Sequence, residues 1–157
     1  MIKNRNKLLS VLLICISVMT LISCGSSACV SGNLEKCGQN LKSYYLEKLD
    51  KIEAGMSDLD EQYAGNTYDM RMAANKEYKR WDDALNEIYS VLKTQISESE
   101  MKSLTQEEMQ WIKDKEEKAE RQAAQYEGGT IHPVFHITSL CQSTKDRCYE
   151  LVNKYMQ

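Results

Sequence analysis

The chain has 157 residues, of which 42% are hydrophobic and 27% charged, and this length suggests one globular domain. Residues 1–23 hold three of the 20 basic residues and none of the 23 acidic ones, so the net charge changes from −3 to −6 without them. An acidic balance argues against nucleic acid, which is bound by basic patches, and favours an encounter with a basic partner. Sparse glycine and a single proline favour helices.

Residues 1–23 have the pattern of a bacterial lipoprotein signal peptide. A positively charged start precedes the apolar run Leu8–Ile22, which is shorter than a membrane-spanning helix. The run ends in Leu21-Ile22-Ser23-Cys24, which resembles a lipobox, so Cys24 is expected to be lipidated and to become the new N-terminus. A retained membrane anchor is the alternative. We expect residues 24–33 to be the lipidated cysteine and a flexible tether, which places the protein on the extracytoplasmic face of the cell membrane, held by the lipid alone.

Residues 34–157 have the apolar spacing of a single helical domain. The first helix is predicted from about Leu34, with a break at Gly55 and with Ser57 as a cap for a second piece. Thr67 is the predicted N-cap of a long helix that ends near Ser97. The apolar positions of this long helix recur in steps of three and four and predict a face covered by another helix: Ala74, Tyr78, Trp81, Leu85, Ile88 and Leu92.

Ser97 and the acidic residues after it predict the start of the next helix, which ends at Gly128-Gly129. Its run Lys113–Lys118 mixes charges and is interpreted as a solvated face. The last helix is predicted from about Val134 to Tyr155, with the apolar face Ile137, Cys141, Thr144, Cys148, Leu151 and Tyr155. Four helical segments with short connections, and no run typical of a strand, predict an all-α antiparallel helical bundle.

Polar residues flank the apolar face of the long helix. Asp82, Asn86 and Tyr89 each lie about a turn apart. They form either an ordinary polar shoulder or a partly buried group that needs hydrogen-bond partners elsewhere in the chain. We expect Arg147 of the last helix to meet Asp82 or Asn86 across the bundle, which would make these four residues a structural polar cluster.

Cys29, Cys37, Cys141 and Cys148 remain after the signal peptide and the lipidated residue are set aside. Cys141 and Cys148 are seven residues apart on one predicted helix, about 10 Å between Cα atoms, which is too far for a disulfide. They either pair with Cys29 and Cys37 and staple the N-terminal segment to the last helix, or pack as buried thiols. A zinc site is the weakest alternative because no Cys-x-x-Cys pair exists.

The sequence offers no constellation for catalysis. His132 and His136 have the spacing of two helical metal ligands, but Pro133 lies between them and no glutamate follows the metalloprotease pattern. A Gly-rich phosphate loop, a nucleophile elbow and a histidine beside a nucleophile are all absent from the sequence. We therefore expect a non-enzymatic protein without a metal or cofactor.

Several motifs occur in an order that resembles the LprI-type lysozyme-inhibitor N-terminal domain. They are Asp82-x-x-Leu85-Asn86-x-x-Tyr89, the segment Leu104–Trp111, Gly128-Gly129, and Thr144-x-x-Arg147-x-x-x-Leu151, and the resemblance covers about residues 67–155. It implies a helical, exported and often lipid-anchored protein. Many members have cysteines at the positions of Ala73 and Ala119, commonly glutamine at that of Glu108, and often Arg-Asp at Lys115-Glu116.

Two classes of function follow from this resemblance. The first is an envelope protein that captures a lysozyme-like muramidase, and the second is an accessory envelope lipoprotein that holds another envelope protein without inhibiting lysozyme. For the first class, the connection formed by Gly128, Gly129, Thr130 and His132 is the expected partner-binding segment, because it interrupts two helices and offers exposed backbone and a possible cation. An ordinary helix–helix loop is the alternative interpretation.

Overall fold

The computed structural model describes residues 40–157, and these residues are helical with short connections. In chain order the elements are α1 (Leu41–Ala54), a 3₁₀ turn (Gly55–Leu59), α2 (Asp60–Tyr63), α3 (Thr67–Gln95), α4 (Glu98–Ala123), a second 3₁₀ turn (Ala124–Tyr126) and α5 (His132–Tyr155). Residues 40–157 contain no strand. The predicted signal peptide, Cys24, the tether and the start predicted at Leu34 lie outside the described residues.

The prediction of an antiparallel helical bundle is confirmed. Near one end, Lys42 of α1 donates its backbone N–H to the Gln157 carbonyl that follows α5. α4 and α5 are antiparallel. Arg147, late in α5, contacts Glu108, nearer the start of α4, whereas His136, early in α5, contacts Glu120, near the end of α4. α5 packs against α3, α4 and α1, so it is the central helix of the bundle.

Large apolar side chains from all four long helices fill the core. The largest side chains with almost no exposed surface include Leu49, Trp81, Ile88, Leu92, Leu104, Leu151 and Val152. Burying one such side chain contributes about 1.5–3 kcal/mol. The apolar face predicted for α5 is confirmed at Cys141, Thr144, Cys148 and Leu151, whereas Ile137 and Tyr155 are only partly buried.

The helix boundaries confirm some capping predictions and correct others. Ser97 caps α4 as predicted and forms a reciprocal capping box with Glu100. Thr67 was predicted as the cap of α3 but is its first helical residue, and Asn66 is the cap. The Asn66 side chain accepts a hydrogen bond from the backbone N–H of Asp69, and the Asp69 carboxylate accepts one from the backbone N–H of Asn66. Asn66 and Thr67 can both cap, and the extended backbone at Asn66 decides between them.

The break predicted at Gly55 is confirmed, but the role predicted for Ser57 is wrong. α1 ends at Ala54, and Gly55 begins the 3₁₀ turn. The Ser57 hydroxyl donates to the Ala54 carbonyl at 3.3 Å, so it closes the end of α1 instead of starting α2. Among the described residues, no helix is long and apolar enough to cross a membrane.

Candidate functional site

The connection between α4 and α5 is exposed and held by short turns. The residues from Glu127 to Thr130 are all exposed. Gly128 has a φ of 78°, a left-handed conformation that glycine adopts without strain. The N–H of Gly129 donates to the Tyr126 carbonyl at 2.9 Å, and that of His132 to the Gly129 carbonyl at 3.2 Å. The predicted segment is therefore a defined turn that presents backbone to solvent.

Two contacts fix the position of this connection on the bundle. The hydroxyls of Thr130 and Thr67 are 3.5 Å apart, which places the connection beside the start of α3. The rings of Tyr126 and Phe135 stack with centroids 3.9 Å apart and an interplanar angle of 13°. This aromatic pair joins the chain on either side of the connection, and Phe135 remains 36% exposed.

A shallow pocket lies beside the connection, between the end of α4 and the start of α5. It has a volume of about 330 Å³, and its lining residues are Glu120, Arg121, Ala124, Glu127 and His132. Arg121 is 3.6 Å from Glu117, and His136 Nε2 is 3.4 Å from Glu120. His136 thus faces acidic residues of α4, and within residues 40–157 no group of three or more His, Cys, Asp or Glu side chains is arranged to hold a metal ion.

Arg147 is buried and contacts three carboxylates, and its predicted pairing with Asp82 or Asn86 is wrong. Its guanidinium donates to Glu108 at 2.6 and 2.8 Å and contacts Glu107 at 2.9 Å and Glu150 at 2.8 Å. Burial opposes the charged guanidinium, but the hydrogen bonds to these carboxylates outweigh it and raise the pKa of Arg147. Burial also raises the pKa of the Glu108 carboxyl, and Arg147 offsets part of that rise.

The geometry of α5 explains the wrong pairing. Successive residues of a helix point about 100° apart. Cys148 therefore faces α3, where its thiol donates to the Trp81 carbonyl at 3.5 Å, while its neighbour Arg147 faces α4. The sequence places Arg147 near the α5 apolar face but does not show which of two neighbouring helices it meets.

Asp82, Asn86 and Tyr89 do not form one cluster with Arg147. Asn86 is exposed and donates to the backbone carbonyl of Asp82 within the same helix at 2.8 Å, as an ordinary polar shoulder does. Tyr89 is half-buried, and its hydroxyl is 3.1 Å from the Thr105 hydroxyl of α4. Asp82 and Asn86 thus share one local contact within α3, and Tyr89 makes a separate one with α4.

Lys115 is a buried residue that the sequence interpretation missed. It was predicted on a solvated face but is only 7% exposed. Its ammonium donates to the Tyr78 hydroxyl at 3.2 Å and lies 4.5 Å from the centroid of the Trp111 ring. Burial lowers the pKa of Lys115, and nearby carboxylates offset only part of this effect. The available signal was its spacing, four residues after Trp111 and four before the buried Ala119.

Cys141 and Cys148 are free, buried thiols on α5. Burial raises the pKa of both thiols, that of Cys148 to about 12, so neither resembles a reactive cysteine. They pack as small hydrophobic residues, which was one of the two predicted alternatives. Cys29 and Cys37 lie outside the described residues, and the free thiols of Cys141 and Cys148 do not support the predicted staple to them.

These features define a helical domain with a largely buried ion pair, Arg147–Glu108, and an exposed connection between α4 and α5. The chain belongs to a family of inhibitor proteins, described as Lysozyme inhibitor LprI, whose sequence profile matches residues 57–151. The predicted resemblance is thereby confirmed, and the match begins earlier than predicted, within the first 3₁₀ turn. No curated protein and no solved structure matches the chain.

Three of the departures expected from the resemblance fall at buried or partly buried positions. Ala73 and Ala119, where many members carry cysteine, have no exposed surface. Glu108, at a common glutamine position, is the closest partner of Arg147. These three departures therefore lie at contacts inside the bundle and not in the exposed α4–α5 connection.

Proposed function

We propose that the protein is an envelope lipoprotein that binds a lysozyme-like muramidase and inhibits it without catalysing a reaction. The observation that carries this proposal is the family match over residues 57–151, which includes α3, α4, most of α5 and the whole α4–α5 connection. The accessory-lipoprotein alternative predicts no effect on muramidase activity, so an activity assay separates the two.

The α4–α5 connection supports this function as the segment that enters the cleft. Gly128 and Gly129 carry no side chains, so the backbone here is narrow and its polar groups are exposed. His132 at the start of α5 adds a group that can carry positive charge. Lysozyme cleaves with two carboxyl groups in its cleft, and such a site favours backbone donors and cations.

The charge of the protein supports a basic partner. Residues 24–157 carry a net charge of −6, and animal lysozymes are basic. Opposite charges increase the association rate, and salt screens this attraction over about 8 Å at physiological ionic strength. We therefore expect binding that weakens as salt rises.

The sequence signals at the N-terminus support the location. A lipidated Cys24 would hold the domain on the extracytoplasmic face of the cell membrane, where a muramidase attacks the wall. The lipid would be the only membrane attachment, since the acidic surface does not favour anionic lipid. This location places an inhibitor between the enzyme and the cell.

The experiment measures muramidase turnover with the full chain in mild detergent, at low and at physiological salt. We expect inhibition at micromolar protein that is stronger at low salt. Thr130→Asp places a carboxylate on the connection, where it would face the carboxyl groups of the cleft, and should weaken inhibition about tenfold.

Ser90→Asp is the matched control, because it adds the same charge at an exposed position on α3 away from the connection. It should inhibit like the unmodified chain. Equal inhibition by the two variants would show that the connection does not contribute to inhibition. No inhibition by the unmodified chain at either salt concentration would contradict the proposed function and favour the accessory role.

A further inference from the structure

Two aromatic rings meet at the base of the α4–α5 connection. We propose that Tyr126 and Phe135 are positioning residues, whose stacked pair holds the connection in the conformation that enters the muramidase cleft. This inference rests on the proposed function and names the residues that prepare its binding segment. A segment that is ordered before it binds loses less conformational freedom on binding, and its affinity is higher for that reason.

The positions of the two rings fit this role. Tyr126 is the last residue of the second 3₁₀ turn and Phe135 lies in the first turn of α5, so the rings flank residues 127–131. Their centroids are 3.9 Å apart and their planes differ by 13°, so the rings are stacked. Aromatic pairs contribute stability beyond the area that they bury. The contact therefore joins the two ends of the connection through side chains.

The backbone of the connection follows Tyr126 closely. The Tyr126 carbonyl accepts a hydrogen bond from the N–H of Gly129 at 2.9 Å. A Cβ atom at Gly129 would lie 3.1 Å from the same oxygen, a tight contact that glycine avoids. Gly128 adopts its left-handed φ between these two residues. The position of the Tyr126 backbone therefore determines where the two glycines lie.

The other side-chain contact of the connection is weaker. The hydroxyls of Thr130 and Thr67 are 3.5 Å apart, at the long limit of a hydrogen bond, and Thr130 is exposed to water. The backbone hydrogen bonds of the connection join residues three positions apart, so they define the shape of the turn. Among these contacts, the aromatic stack is the one that fixes the turn between the ends of α4 and α5.

The test measures the affinity of the full chain in detergent for a basic animal lysozyme. Tyr126→Leu and Phe135→Leu each remove one ring and keep an apolar side chain, and a third variant carries both changes. We expect each single change to raise the Kd about two- to tenfold. The double variant should bind no more weakly than either single one, because the loss of one ring already abolishes the stack.

Hydrogen exchange measured by NMR gives a readout that does not depend on the partner. The amides of Gly129 and His132 should exchange faster in the leucine variants than in the unmodified chain, since their hydrogen bonds need an ordered connection. Phe135→Tyr keeps an aromatic ring and should retain the affinity and the exchange rates of the unmodified chain. Tyr44→Leu is the matched control, because it breaks another aromatic pair, with Tyr45 on α1. It should change neither measurement.

Three outcomes overturn the inference while the proposed function stands. Unchanged exchange in the leucine variants would show that the stack does not order the connection. Faster exchange without a change in Kd would show that this order does not contribute to binding. Losses of affinity that add up in the double variant would mean that each ring contacts the lysozyme directly.

A fourth outcome is different, because it also concerns the proposed function. If the unmodified chain does not bind lysozyme at low or physiological salt, the proposed function fails and the positioning role fails with it. Circular dichroism of each variant confirms that the bundle remains folded.

Discussion

Replacing Arg147 by methionine should strongly destabilise the bundle. The Arg147 side chain is 3% exposed, and its carboxylate partners differ in exposure, with Glu108 at 13%, Glu107 at 35% and Glu150 at 52%. Glu107 and Glu150 can regain water when the arginine is removed, but Glu108 cannot. The cost is therefore set mainly by one carboxylate that is left buried without its partner.

Breaking a buried pair in this way costs about 3–5 kcal/mol of unfolding free energy. For a domain of this size, that corresponds to a fall in Tm of roughly 10–20 °C. The double replacement Arg147→Met with Glu108→Met removes both charges and should recover much of this loss, because a packed apolar pair can substitute for a buried ion pair. Lys79→Ala breaks an exposed pair with Asp83 and should change stability little.

Urea unfolding followed by circular dichroism measures all three variants, provided that the transition is two-state. A loss below about 1 kcal/mol for Arg147→Met would refute the reasoning, since it would mean that Glu108 is readily solvated or protonated. A double variant no more stable than Arg147→Met would show that the cost comes from lost packing and not from the uncompensated charge.

Three further predictions concern ionisation, thiol burial and anchoring. Burial raises the pKa of Tyr45, Tyr78 and Tyr149 from 10.0 to about 12, and raised tyrosine pKa values contribute stability that is lost as pH rises through this interval. Unfolding free energy should therefore fall above about pH 10. Absorbance at 295 nm should show that these tyrosines ionise at a higher pH in the folded chain than in denaturant. Ionisation at the same pH in both states would contradict their burial. In a Cys29→Ser, Cys37→Ser chain, Cys141 and Cys148 should resist a thiol reagent until denaturant is added, and rapid native-state labelling would contradict the packing of α5. Cys24→Ala should abolish lipidation and membrane fractionation, and a variant that fractionates like the unmodified chain would end the lipoprotein proposal.

The sequence was sufficient for the class of fold and for most helix boundaries. The three- and four-residue spacing of the α3 and α5 apolar faces places both helices correctly, and Ser97 marks a helix start that the structure retains. The end predicted for α4 at Gly128-Gly129 is wrong, because α4 ends at Ala123 and a 3₁₀ turn follows it up to Tyr126. These signals are local, because capping and backbone preference depend on residues within one turn. Local signals did not decide whether Asn66 or Thr67 caps α3, because the side chains of both residues can accept a hydrogen bond from the first turn of a helix.

The polar contacts could not be derived in the same way, because they depend on how the helices are arranged around α5. A residue at the edge of an apolar face can meet either of two neighbours, and Arg147 meets α4 instead of α3. Lys115 was misassigned because its charged neighbours in sequence suggested solvent, although Trp111 and Ala119 place it on the covered face. The candidate pocket combines α4 and the connection, so no local pattern predicted it.

The central claim, that this chain captures a muramidase, is tested most directly by the affinity of the full chain for a basic animal lysozyme. Isothermal titration calorimetry in matched detergent buffers gives the Kd and the stoichiometry at low and at physiological salt. We expect one chain per lysozyme and a Kd of micromolar or below that weakens as salt is added. If no binding heat is measured at either salt concentration, and the two proteins do not migrate together in gel filtration, the claim is contradicted.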